Sequence, residues 1–361
     1  MSERNVFLEE LERHGVSRRE FVGFCSVMAS ALALPKTFGV KIAKAVAKSE
    51  KPVLVWLEFQ DCAGNTEAFL RAEKPSTADV ILDTISVDYH ETIMAAAGHQ
   101  AEAARAKVVK DLAGKYIAVV EGAIPTGADG AYCTIGGRSA LDIAREVCGN
   151  AAATIAIGTC AAFGGLPKAK PNPTGAVAIS DLIRDKPVVN VPGCPPIPVV
   201  MTGVLAHYLT FGSLPELDKL GRPKSFYGET IHDRCYRRPF YDQGKFAKTF
   251  DDEGARKGWC LFELGCKGPV TYNACATVKW NDGTSFPIES GHGCLGCSEP
   301  DFWDAGGFYR ALSLPAKPLK VATGAAMAGA AVGAAMTVAN RSRRADAKAA
   351  HQTATIADLE K

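Results

Sequence analysis

From Val53 onward the chain alternates short apolar runs with longer mixed stretches. Val53–Leu57 is apolar at every position and rich in β-branched residues, which predicts a strand buried on both faces. Runs of the same kind follow at Val80–Ile85, Tyr116–Val120, Thr154–Ile157 and Pro187–Val191. Between them, Glu91–Leu112 and Arg138–Cys148 read as helices. Strand and helix in alternation predict a doubly wound parallel α/β sheet, whose ligands gather at the carboxyl ends of the strands. After about residue 230 the periodicity is lost, and Gly, Pro, Cys and aromatic residues dominate. Such a stretch cannot assemble an ordinary apolar core, so cross-links of another kind must tie it together.

Composition narrows the class. The 361 residues suffice for two or so domains, and 47% hydrophobic content excludes wholesale disorder. With 41 Lys+Arg against 39 Asp+Glu the formal net charge is +2, which excludes nucleic-acid binding by bulk charge. The decisive count is 12 cysteines, six of them between Cys235 and Cys297. That density means a disulfide framework, a metal site or a set of iron–sulfur clusters.

Both ends read as addresses rather than fold. Residues 1–47 have the order of a twin-arginine export signal: Ser17-Arg18-Arg19-Glu20-Phe21-Val22, an apolar run to Leu34, and small residues at Ala45-Val46-Ala47. That route carries folded proteins, so thiolates would cross the membrane already locked onto metal. Residues 319–340 form a candidate transmembrane anchor, because Leu319–Val338 lacks acidic groups and is near the length that spans a ~30 Å hydrocarbon core. Arg341, Arg343 and Arg344 follow and would stay cytoplasmic, at the start of a polar tail over 341–361. The other reading of this weakly hydrophobic, Ala/Gly-rich segment is a soluble interface helix.

Three cysteines fall just after predicted strands: Cys62 after the first, Cys160 in Gly158-Thr159-Cys160, and Cys194 in Pro192-Gly193-Cys194-Pro195-Pro196. Three thiols on one rim of a sheet point to one metal site. Downstream, His232, Cys235, Cys260 and Cys266 make four soft ligands, and Cys275, Cys294 and Cys297 three more. Iron–sulfur clusters take four protein ligands, usually all cysteine, and a histidine can replace one thiolate. The triad without a fourth thiolate suits a three-iron cluster. Zinc stays open for any one group of four. Three soft-ligand groups along one chain read as an electron wire.

These motifs resemble the small, electron-transferring subunit of membrane-associated nickel–iron uptake hydrogenases. The resemblance rests on Gly158-Thr159-Cys160-Ala161-Ala162-Phe163-Gly164-Gly165, Val191-Pro192-Gly193-Cys194-Pro195-Pro196, His232-Asp233-Arg234-Cys235, Gly265-Cys266-Lys267-Gly268-Pro269, Tyr272-Asn273-Ala274-Cys275 and Gly291-His292-Gly293-Cys294-Leu295-Gly296-Cys297. It implies a flavodoxin-like domain over 52–230 holding a proximal 4Fe-4S cluster through Cys62, Cys160 and Cys194. It implies a small irregular cluster domain over 231–315. There Cys275, Cys294 and Cys297 would hold a medial 3Fe-4S cluster, and His232, Cys235, Cys260 and Cys266 a distal 4Fe-4S cluster. It further implies an obligate large-subunit partner that carries the nickel–iron centre, no catalytic residue in this chain, a membrane cytochrome or other redox partner, and a place on the periplasmic face of the membrane.

One departure stands out. The family presents Cys-x-x-Cys after the first strand, whereas this chain has Cys62-Ala63-Gly64-Asn65, so the fourth proximal ligand is open between Asn65 and Asp61. Cys133 and Cys148 are spare thiols that read as core cysteines. The extra pair of cysteines that some oxygen-tolerant members carry is absent, with Gly64 and Gly165 in those places. Two rival readings remain: a secreted, disulfide-stapled binding protein, and an iron–sulfur subunit of a quinone-reductase-type complex.

Overall fold

Four of the apolar runs form the centre of one parallel sheet: β1 (Val53–Glu58), β3 (Ile117–Glu121), β4 (Ala153–Ile157) and β5 (Val188–Val191), with β2 (Ser86–His90) on the outer edge of β1. The computed structural model describes Ser26, Ala29 and residues 51–72, 76–81, 85–211, 213–306 and 308–312. The sheet order is β2–β1–β3–β4–β5, every pairing is parallel, and the order is that of flavodoxin-like doubly wound sheets. The two faces divide the strand residues by parity. Leu54, Trp56, Ile117, Val119, Ile155 and Val189 face one core, and Val55, Leu57, Ala118, Val120 and Ala156 face the other.

The second core is closed by α3 (Ala140–Asn150), which buries Leu141, Ile143, Ala144 and Val147 and is capped by Ser139, whose side chain accepts from the Asp142 amide at 3.1 Å. The first core is closed by α5 (Pro198–Phe211) and runs on into the C-terminal region through Phe226, Ile231, Leu261, Cys266, Cys275 and Cys294. Beyond Phe211 the described elements are single turns, as the loss of periodicity predicts. Cysteines thus sit where an ordinary protein would have aliphatic residues.

Two expectations need correction. The strand placed at Val80–Ile85 lies instead at Ser86–His90. Thr77–Asp79 is helical, the Ile85 amide donates to the Val80 carbonyl at 3.0 Å, and Val80 and Ile85 are buried in the core ahead of the strand. Pairing begins where the Ser86 amide meets the Pro52 carbonyl at 3.0 Å. The helix expected over Glu91–Leu112 starts late, as α2 (His99–Asp111), because Gly98 takes φ 55°, ψ −129° and interrupts any helix before it. The export signal, apart from Ser26 and Ala29, and the candidate anchor lie outside the described residues. Among the described residues no helix is long and apolar enough to cross a membrane.

Candidate metal centres

The carboxyl ends of β1, β3, β4 and β5 meet on one rim. There β1 runs into Cys62 and α1 (Gly64–Leu70), β4 into α4 (Gly158–Phe163) with Cys160, and β5 into Gly193-Cys194. Cys62 and Cys194 are exposed and Cys160 half-buried. The three thiols are close enough that Cys160 and Cys194 each feel Cys62 as a like charge, and Cys194 feels Cys160. A Cβ on Gly165 would stand 2.7 Å from the Cys160 sulfur and one on Gly64 3.0 Å from the Cys62 sulfur, so glycine leaves the space beside each sulfur open.

Glu121, which no spacing pattern in the sequence singles out, holds this rim together. The N-cap of α1 is Ala63, which has no side chain to satisfy the first amides. Glu121 supplies the cap from β3: its carboxylate accepts from the Asn65 amide at 2.9 Å, the Thr66 amide at 3.1 Å, the Thr66 hydroxyl at 2.7 Å and the Trp56 indole at 3.2 Å. Burial pushes its pKa up to about 7, against the hydrogen bonds from Thr66 and Asn65. A fainter signal was available, since Glu58 and Glu121 end otherwise apolar strands in paired register. Glu58, Asp61 and Glu121 bring carboxylate oxygens within 4.8 Å of one another. Asn65 is buried, and its amide nitrogen donates to the Ile157 carbonyl at 3.3 Å.

The C-terminal cysteines gather in two adjoining groups. His232, Cys235, Cys260 and Cys266 line one concavity, together with Arg237, Phe262 and Ile288. His232 sits on a single turn, Ile231–Arg234, held by reciprocal bonds: the Asp233 amide donates to the Thr230 hydroxyl at 3.2 Å and the Thr230 amide to the Asp233 carboxylate at 2.9 Å. Burial, with Arg238 nearby, lowers the His232 pKa, favouring the neutral ring that a metal requires. In the other group Cys297 is an electrostatic neighbour of both Cys275 and Cys294.

Backbone amides point at these sulfurs. Cys266 Sγ accepts from Gly268 at 3.5 Å and from Cys294 at 3.3 Å, and Cys294 Sγ accepts from Gly296 at 3.4 Å. Burial pushes Cys260 up to about 11 and Cys275 up to about 12. Such thiols hold their protons at neutral pH unless a metal takes the proton's place. Buried thiols in groups, with amide donors on sulfur and glycine leaving room beside it, fit iron–sulfur clusters. They do not fit a stapled protein, since all eleven described cysteines are free.

Comparison with known proteins agrees. Residues 227–310 match the family model for the C-terminal part of the NiFe/NiFeSe hydrogenase small subunit, and residues 62–208 match that of the NADH ubiquinone oxidoreductase 20 Kd subunit. The uptake hydrogenase small subunit of Azotobacter vinelandii is 52% identical over 313 residues, covering 87% of each chain. The chain belongs to the nickel–iron hydrogenase small-subunit family. The hydrogenase-1 small chain of Escherichia coli K12 is 47% identical over 87% of this chain and 85% of its own length. The reduced nickel–iron–selenium hydrogenase of Desulfomicrobium baculatum superposes with a TM-score of 0.69 at 38% identity, covering 73% of this chain and 100% of that one. As a nickel–iron hydrogenase small subunit, the chain works in a heterodimer with a large subunit. The quinone-reductase likeness covers only the sheet region, whereas the second half matches the hydrogenase model.

The remaining candidates have ordinary places. Cys148, on α3, is buried in the second core, and Cys133 packs against the same core. His292 stacks on Phe250 at 6.0 Å, and its Nδ1 lies 2.8 Å from the Gly293 carbonyl.

Proposed function

We propose that this chain is the electron-transfer subunit of a nickel–iron uptake hydrogenase, serving a large subunit that oxidises H2 and a membrane redox partner that accepts the electrons. The observation that supports it is the gathering of cysteines with one histidine into three groups, with amides aimed at sulfur. We assign Cys62, Cys160 and Cys194 to the proximal 4Fe-4S cluster, Cys275, Cys294 and Cys297 to the medial 3Fe-4S cluster, and His232, Cys235, Cys260 and Cys266 to the distal 4Fe-4S cluster. When bound, these clusters supply one-electron transfer along the chain. The protein's part is to hold the sulfurs, keep water away and direct amide dipoles at them, which tunes their potentials. The exposed rim at Cys62 and Cys194 is the face we assign to the large subunit.

For the fourth proximal ligand Asp61 is favoured over Asn65. The Asn65 amide oxygen is a neutral donor, whereas the Asp61 carboxylate is an anionic donor on the Cys62 loop and an electrostatic neighbour of Cys160. Asp61→Ala should release iron from the proximal centre while Asn65→Ala leaves it loaded, read by Mössbauer spectroscopy; the reverse result returns the ligand to Asn65. The wider reading is tested by iron and acid-labile sulfide in the purified heterodimer. A colourless chain without iron would sink it.

Export by the twin-arginine route to the periplasmic face, with the segment 319–340 as anchor, completes the proposal. Its support is the order of basic, apolar and small residues at the N-terminus and the arginines that follow Val338. Arg18→Lys with Arg19→Lys should hold the folded protein in the cytoplasm, and normal delivery of that variant would remove the leader reading.

A further inference from the structure

Thr159 touches all three of the loops that carry Cys160, Cys194 and Cys297. It is buried, precedes Cys160 in α4, and its amide donates to the Gly193 carbonyl at 2.9 Å. Its hydroxyl accepts from the Gly193 amide at 2.9 Å and donates to the Cys297 carbonyl, 138 residues away in sequence. A hydroxyl can do both at once, since it carries one donor and two lone pairs. Thr159 is therefore the clamp that ties the Gly193-Cys194 loop to the backbone of Cys297 in the other group.

We propose that Thr159 is a positioning residue that joins the proximal and medial ligand sets and, by anchoring the Cys297 backbone to the Gly193-Cys194 loop, sets the medial potential. The inference rests on the ligand assignment above. The potential of an iron–sulfur cluster depends on the hydrogen bonds and solvent around its sulfurs, so a ligand loop that loses its anchor changes it. Valine keeps the shape of threonine but neither donates nor accepts, and it leaves the Gly193 amide and the Cys297 carbonyl without their partner. Serine keeps the hydroxyl.

The test uses the full heterodimer, with Thr159→Val, Thr159→Ser, Cys194→Ser and Cys297→Ser compared by EPR-monitored redox titration and iron analysis. The two cysteine exchanges should perturb two different centres; if both perturb the same one, the ligand assignment falls. With that assignment standing, Thr159→Val should keep its iron and shift the potential of the Cys297 centre, and Thr159→Ser should restore the wild-type value. A valine variant with the wild-type potential, or a serine variant shifted as far as valine, overturns the proposal. If the valine variant does not assemble, Thr159→Ala is read by the same outcomes.

Discussion

The backbone amide of Cys294 donates to the sulfur of Cys266 at 3.3 Å, so a residue assigned to one iron–sulfur group is bonded to a ligand of the next. The two chain segments run together around that bond. Lys267 donates its amide to the Cys294 carbonyl at 2.7 Å, and Gly293 lies against the Cys266 backbone. The groups assigned to the medial and distal clusters therefore share a wall, and a change in that wall reaches both.

Gly293 measures how tight the wall is. A Cβ there would stand 2.9 Å from Cys266 Cα and 3.0 Å from its Cβ, atoms of a buried cysteine that cannot swing aside. Gly293→Ala should cost about 1–3 kcal/mol by overpacking and lower the iron content of the purified protein. Gly149→Ala, where nothing lies within 4 Å of the new Cβ inside α3, should be neutral or stabilise by roughly 0.5–1 kcal/mol. Melting temperatures and iron analysis of the two variants, side by side, check the contrast.

Glu121 gives a second test. Glu121→Ala would leave the Asn65 and Thr66 amides, the Thr66 hydroxyl and the Trp56 indole without their buried acceptor. The loss should be on the order of 2–4 kcal/mol, with Glu121→Gln milder because one acceptor oxygen remains. Since α1 follows directly on Cys62, the alanine variant should also lose proximal iron before the other two centres. An alanine variant as stable as wild type would show that α1 needs no cap from β3.

How much of this was legible follows from where the signal lives. β1, β3, β4 and β5 are apolar on both faces, so their composition alone announces them. β2 is an edge strand with the mixed sequence Ser-Val-Asp-Tyr-His, and Val80 and Ile85 before it are buried outside any strand, so the run pointed to the wrong stretch. Cysteines at strand ends were legible because thiols are rare and their chemistry narrow. Glu121 and Thr159 were not, because their partners lie 56 and 138 residues away and a lone Glu or Thr carries no spacing pattern.

His90 should make the sheet edge sensitive to acid. It is fully buried, stacks on Trp56 at 4.9 Å, and its Nδ1 accepts from the Thr92 amide at 3.3 Å, a bond that needs the neutral ring. Burial lowers its pKa to about 4, and the nearby Glu58 offsets only part of that. The unfolded chain takes up a proton near pH 6.5, which the folded chain refuses until about pH 4. The contribution of His90 is therefore complete above pH 6.5, falls as pH drops through that window, and levels off below it. In the His90→Gln heterodimer the melting temperature should fall less steeply between pH 6.5 and pH 4 than in wild type; equal slopes would remove His90 from the account.

Lys267 is a buried cation beside Cys266 and Cys294, between the groups assigned to the medial and distal clusters, and it pairs with no carboxylate among the described residues. Its ammonium donates to the Arg310 carbonyl at 2.9 Å, and its charge favours the thiolate of Cys266. A positive charge fixed beside a redox centre favours the state with one more electron, so Lys267 should raise the potential of the centres on either side of it. Lys267→Met keeps the length and apolar stem of the side chain and removes the charge. At an effective dielectric of about 20 and a separation of roughly 8–15 Å, the lost attraction is about 1–2 kcal/mol, or roughly 50–90 mV for one electron. EPR-monitored redox titration of the variant heterodimer should show the medial and distal signals at lower potential while the proximal signal, farther along the chain, moves less. If the charge is instead screened by solvent, all three potentials will match wild type, and the ammonium will be an anchor for the Arg310 carbonyl alone.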